Sequence, residues 1–94
     1  MKISATTIIS QPENMLSAKI DDEIVMLGLE NSKYYGLNTV GSRIWELIKD
    51  PISIEDLCAL LMEEYNVDSE TCLDQTIELV ENLLKNNCAR IYNT

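Results

Sequence analysis

The side chains that could do acid–base, nucleophilic or metal chemistry are few in kind: sixteen carboxylates and three cysteines, with no histidine, in 94 residues. Histidine is the usual general base near neutral pH, so its absence removes the commonest catalytic arrangement. Cys58, Cys72 and Cys88 are widely spaced, form no C-x-x-C pair and have no histidine to complete a zinc site. Asp21-Asp22 and Glu63-Glu64 are adjacent in sequence and fall at an expected turn and helix end, where a carboxylate is ordinarily solvated charge. Neither a G-x-S-x-G nucleophile elbow nor a P-loop occurs. The expectation is no catalysis, no metal and no cofactor, with Cys72 and Cys88 as small core residues. The chemistry to look for is therefore that of surfaces.

Charge narrows the choice of partner. Seven basic residues against sixteen acidic ones give a net charge of −9. Binding a phosphate backbone or an anionic membrane needs clustered Lys and Arg, so nucleic acid and membrane are not expected partners. A neutral or basic partner fits better. No apolar run approaches membrane-spanning length and no signal-like segment opens the chain, so a cytoplasmic protein with reduced thiols is expected. Length and a 46% apolar content suit a single domain over residues 1–94 with a thin core.

The elements that position any surface change character near Asn38. Before it the apolar period is two. Leu16, Ala18 and Ile20 alternate with Ser17 and Lys19, which predicts a half-buried strand over Met15–Ile20. Asp21-Asp22 makes a turn, and Ile24-Val25-Met26-Leu27 reads as a central strand. A turn around Ser32 leads to a third strand, Lys33–Leu37, so the strands span about 15–37. Thr6–Ser10 is a further candidate strand before Pro12.

After Asn38 the period is near 3.6, and three helices are predicted at about 39–49, 53–65 and 69–86. Asn38 or Thr39 caps the first and Asp50-Pro51 ends it. Ser53 with Asp56 caps the second, and Asp68 or Ser69 starts the third. Asn86-Asn87 supplies a left-handed stop, and Ala89–Tyr92 is a short tail strand or extension. A three-stranded antiparallel sheet followed by three helices is an α+β plan with a winged helix-turn-helix outline.

Two features exceed what a core requires. The third strand follows the central one by a tight turn and so lies at a sheet edge, guarded by a single charge, Lys33. An undefended edge is either covered by the protein itself or open to a partner strand. Gly36 allows a close backbone approach there, or simply a bend before the first helix. Which of Tyr34, Tyr35 and Gly36 turns its N–H outward is not fixed by sequence. On the third helix, Cys72, Thr76, Leu79 and Leu83 form one stripe and Leu73, Ile77, Val80 and Leu84 a second. Together they span roughly 160°, wider than the ~100° one packing partner needs. Either the second stripe lines a groove or both stripes are core. Trp45 reads as core.

These residues also carry a resemblance. Glu23–Leu27, Lys33-Tyr34-Tyr35-Gly36-Leu37-Asn38, Gly41, Ile44-Trp45, Pro51–Leu57, Tyr65-Asn66-Val67, Cys72 and Leu83 resemble the pattern of PqqD-like proteins, most closely those of lasso-peptide gene clusters. Ser32 stands where the family's turn glycine is common, and Asn87-Cys88 where many members have Gly-Leu. The likeness covers roughly Leu16 to Ile91. It implies a RiPP recognition element of winged-helix type that holds the leader segment of a ribosomally made precursor as an added strand. The implied site is Lys33, Tyr34, Tyr35, Gly36 and Leu37, with the groove completed by Leu73, Ile77, Val80 and Leu84. The implied partners are the precursor leader peptide, a leader peptidase of the cysteine-protease type and a cyclase. The alternative is a degenerate winged-helix module for protein–protein contact in regulation, a homodimer through the same edge included. An enzyme built on Cys58 or Cys72 is a third class.

Overall fold

The computed structural model describes residues 3–13, 15–30 and 32–92. In chain order the elements are β1 (Ile8–Ser10), β2 (Met15–Ile20), β3 (Glu23–Gly28), β4 (Tyr34–Leu37), α1 (Thr39–Leu47), β5 (Ile52–Ser53), α2 (Ile54–Glu64), α3 (Ser69–Lys85) and β6 (Arg90–Ile91). This is the α+β, winged-helix plan, with a wing of order β2-β3-β4 leading into three helices.

Local chemistry starts and stops the helices. The side chains of Asn38, Ser53 and Asp68 accept the backbone N–H of Gly41, Asp56 and Thr71 at 2.8, 3.2 and 2.8 Å, each satisfying a donor left over in a first turn. Hydrogen bonds from Thr71 hold the Asp68 carboxyl below its usual range. Asn87 takes a φ of 59°. The N–H of Cys88 then reaches the carbonyl of Leu83 at 2.7 Å, and that of Asn87 the carbonyl of Leu84 at 3.1 Å. That pair of bonds is the Schellman stop, made with asparagine in place of glycine. α1 ends earlier than its apolar pattern, because Ile48 turns out of the helix and its carbonyl accepts the N–H of Gln11 at 2.9 Å.

The chain ends hold a second sheet that was only partly foreseen. β1 pairs antiparallel with β5 (Ile9 opposite Ile52) and with β6 (Ile9 opposite Ile91). A two-residue strand such as β5 has no period of its own to read. It exists because β1 offers a partner and buries Ile9 completely. The core lies between this sheet, β3 and the helices, with Met26, Ile48, Ile54, Leu57 and Val80 fully buried. Trp45 closes it, its indole N–H donating to the carbonyl of Cys88 at 3.1 Å.

The face of β2 is the reverse of the expected one. Ser17 is opposite buried Met26 and Lys19 opposite buried Ile24, so these polar residues share the side that faces the body. Lys19 reaches Glu46 of α1 at 3.3 Å on that side. Leu16 and Ile20 point the other way and are 56% and 62% exposed. Alternation sets which residues share a face; it does not set which face meets the body.

Ser32, in the β3–β4 turn, sits at φ 57°, a region a side chain enters at a cost of about 1–2 kcal/mol. Ser32→Gly should therefore stabilise the fold by roughly 0.5–1 kcal/mol after the extra chain entropy of glycine, read as a raised urea midpoint at unchanged slope.

Candidate functional site

β4 is an edge strand: among the described strands it pairs with β3 alone. Two hydrogen bonds fix the phase that sequence leaves open. The carbonyl of Lys33 accepts the N–H of Gly28 at 2.9 Å, so Lys33 turns its main chain toward β3. Four residues on, Leu37 does the same through a relay. The Ile24 N–H donates to the Ser42 hydroxyl at 2.7 Å, and that hydroxyl donates to the Leu37 carbonyl at 3.1 Å. In the antiparallel register Lys33, Tyr35 and Leu37 thus face β3, while Tyr34 and Gly36 turn their N–H and C=O groups outward. The side chains follow a separate rule. Tyr35 and Leu37 are half-buried on the body side, and Tyr34 and Gly36 lie on the outer side.

Ser42 was not anticipated. It is 1% exposed and belongs to α1, and its hydroxyl replaces one rung of the β3–β4 ladder, tying the end of β4 to the helix. A serine on the apolar side of a helix pattern was the available signal. Ser42→Ala leaves the Ile24 N–H and Leu37 carbonyl without that partner, and should cost about 1–3 kcal/mol in chemical denaturation.

Between β4 and α3 runs a cleft of about 230 Å³, bordered by Tyr35, Gly36 and Leu37 on one side and Leu79, Asn82, Leu83 and Asn86 on the other. It adjoins a larger apolar hollow of about 400 Å³ between α1, α2 and α3, walled by Val40, Ile44, Leu61, Tyr65 and Val67. Asn38, Gly41 and Leu79 border both, which makes Leu79 the ridge between them.

The stripe of α3 that meets the cleft is therefore the one carrying Leu79 and Leu83. Val80 is fully buried, and Leu73, Ile77 and Leu84 are half-buried against the core without bordering the cleft. The rotation of a helix about its axis is set by what it packs on, and periodicity alone cannot supply it. Asn82 and Asn86 also border the cleft; in the sequence Asn86 reads only as part of the stop at the end of the third helix, and Asn82 carries no signal of its own.

The remaining chemistry is muted. Burial pushes the Cys58 and Cys88 thiols above their ordinary range, and all three cysteines are free and buried. Among the described residues, no group of three or more potential ligands is placed to hold a metal, and no helix is long and apolar enough to cross a membrane.

A family model described as coenzyme PQQ synthesis protein D (PqqD) matches residues 23–88. Among solved structures, the chain is similar to TbiB1 in complex with the TbiA(beta) leader peptide, at 32% identity and a TM-score of 0.82, over 90% of this chain and 99% of that one. It is also similar to a lasso peptide synthetase B1 complexed with the leader peptide, at 24% identity and a TM-score of 0.78, over 87% and 96% of the two chains. The latter likeness speaks to the fold. A search of curated proteins returns no match. Since the family model runs from β3 through α3 to Cys88, the elements that build the edge and the cleft, the chain belongs to the PqqD family.

Proposed function

We propose that residues 1–94 form one recognition domain that binds, without catalysing any reaction, the leader segment of a ribosomally made precursor peptide, that of a lasso peptide. The leader adds as a strand to β4, bonding the outward main-chain groups of Tyr34 and Gly36. Lys33, Tyr35 and Leu37 hold the strand in register from the inner side, and apolar leader side chains enter the cleft against Leu79 and Leu83. The observation that carries this reading is the edge itself, with its outward groups beside an apolar cleft. The relative at 32% identity was solved with a leader peptide bound, which supports the same ligand class here. The raised, buried thiols and the lack of histidine support a role without chemistry. In the cytoplasm the domain hands the bound precursor to a separate leader peptidase and a cyclase.

Fluorescence anisotropy tests binding. The probes are a fluorescein-labelled leader from the precursor encoded beside this gene, and the TbiA(beta) leader as a second. A saturable rise with at least one of them is expected. A flat response to both would overturn the assignment and favour a regulatory winged-helix role.

A further inference from the structure

The wing has a second edge. Among the described strands β2 also pairs with β3 alone, and Ser17 to Ile20 are all exposed. Its phase follows from the other side of the sheet. Ile24 and Gly28 turn their N–H groups toward β4, so the alternating ladder gives Glu23, Val25 and Leu27 to β2. Their partners Ile20, Ala18 and Leu16 face β3, which leaves Ser17 and Lys19 with their N–H and C=O groups turned outward. Main-chain chemistry alone would thus offer a leader two sites, one on each side of the wing.

The two edges differ in what lies on their body side. The cleft beside β4 is bordered by no charged residue among those described. Beside β2 a hollow of about 370 Å³ opens toward α1, and Lys19, Glu46 and Lys49 border it together with Ser17, Ile24 and Trp45. Lys19 reaches across from β2 to α1, its ammonium 3.3 Å from a carboxylate oxygen of Glu46. Glu46 is held in turn. Its other oxygen lies 3.9 Å from Arg43, and Arg43 is fixed on Glu64 by hydrogen bonds of 2.8, 3.1 and 2.8 Å. The lysine is therefore drawn over the inner side of its strand instead of out into water.

Exposed ion pairs add little to a fold, so stability does not account for this arrangement. Its consequence is for what can approach. A strand bonded to Ser17 and Lys19 would set its own side chains beside theirs on the body side, with Cα atoms about 5.5 Å apart. An apolar side chain there would strip water from Lys19 and Glu46 and give neither a partner. A charge pointing inward from an edge strand keeps other strands off.

We propose that Lys19, held inward by Glu46, closes the β2 edge to strand addition, so that the wing takes a single leader, at β4. This rests on the reading that the leader binds as a strand. Lys19 then sets where the leader goes without touching it.

The test is Lys19→Val, which removes the charge and supplies a side chain that strands favour. At a half-exposed position it should leave the urea midpoint near that of wild type. Lys19→Arg, which keeps a cation for Glu46, is the control, and Lys19→Thr replaces the valine variant should that precipitate. Each is titrated with the leader encoded beside this gene. Stoichiometry is read by calorimetry, and amide exchange is followed residue by residue. Wild type and Lys19→Arg should bind one leader, with the Ser17 amide at its free rate. Lys19→Val should bind a second, and the amides of Ser17 and position 19 should slow at least tenfold. A wild-type Ser17 amide slowed by leader would overturn the proposal, because the edge would be open with Lys19 in place. So would a folded Lys19→Val or Lys19→Thr domain whose Ser17 amide keeps its free rate at saturating leader. Failure of the β4 reading shows at different residues, as Tyr34 and Gly36 amides that the leader does not slow. A gain at Ser17 in Lys19→Val would uphold the role of Lys19 even then.

Discussion

A Gly36→Pro variant should fold and lose leader affinity by about 3 kcal/mol, on the order of a hundredfold. The Gly36 N–H points away from β3, so proline removes a donor that no partner inside the wing uses. An edge strand tolerates proline when its missing N–H faces outward. The incoming strand would then place a carbonyl, stripped of water, against a ring that cannot donate to it. An unpaired buried acceptor costs about 1–3 kcal/mol, and the ring also holds the two backbones apart. Tyr35→Pro is the internal control. Tyr35 faces Met26 across the ladder, so that variant should loosen the β3–β4 hairpin and register as lost stability in urea. A pair of variants one residue apart, one losing binding and the other losing fold, reads out the phase of the strand. If Gly36→Pro titrates like wild type, the leader does not pair with this edge.

The second large effect is expected at Leu79, the ridge shared by the cleft and the apolar hollow. Leu79→Asp puts a carboxylate where the leader would exclude water, and should weaken binding by at least about 2 kcal/mol, roughly thirtyfold. Leu79 is only partly buried, so the apo domain should stay folded by circular dichroism. Ile77→Asp, on the other stripe, packs against the core and should instead lower the urea midpoint, with binding near wild type where folded protein remains. The reverse outcome, Ile77 controlling affinity and Leu79 not, would move the groove to the opposite side of α3.

What could be read from the sequence was local. Asn38, Ser53 and Asp68 cap helices through bonds that span three residues, and Asn87 stops α3 through bonds to Leu83 and Leu84. Such contacts need no knowledge of the rest of the chain. The α+β order and the exposed third strand were legible for the same reason, since hairpin turns and helix periods announce themselves in sequence.

What was not legible was rotation and distance. The alternation of Leu16, Ala18 and Ile20 was real, yet the body lies on the side of Ser17 and Lys19. The stripes of α3 were real, yet packing turned Leu79 rather than Ile77 to the cleft. β5 and β6 exist only through β1, which lies more than forty residues away from either in sequence. Ser42 works by inserting its hydroxyl between two strands that a sequence pattern cannot place side by side.

The central claim is that a leader becomes the fourth strand of the wing, and amide hydrogen exchange measured residue by residue reads it directly. In the free domain the Tyr34 and Gly36 amides face outward and should exchange quickly, while the Tyr35 amide, turned into the ladder, should already be slow. At saturating leader, Tyr34 and Gly36 should slow at least tenfold, with smaller changes along α3 near Leu79 and Leu83. Saturable binding that leaves the Tyr34 and Gly36 amides exchanging at their free rates would contradict the account.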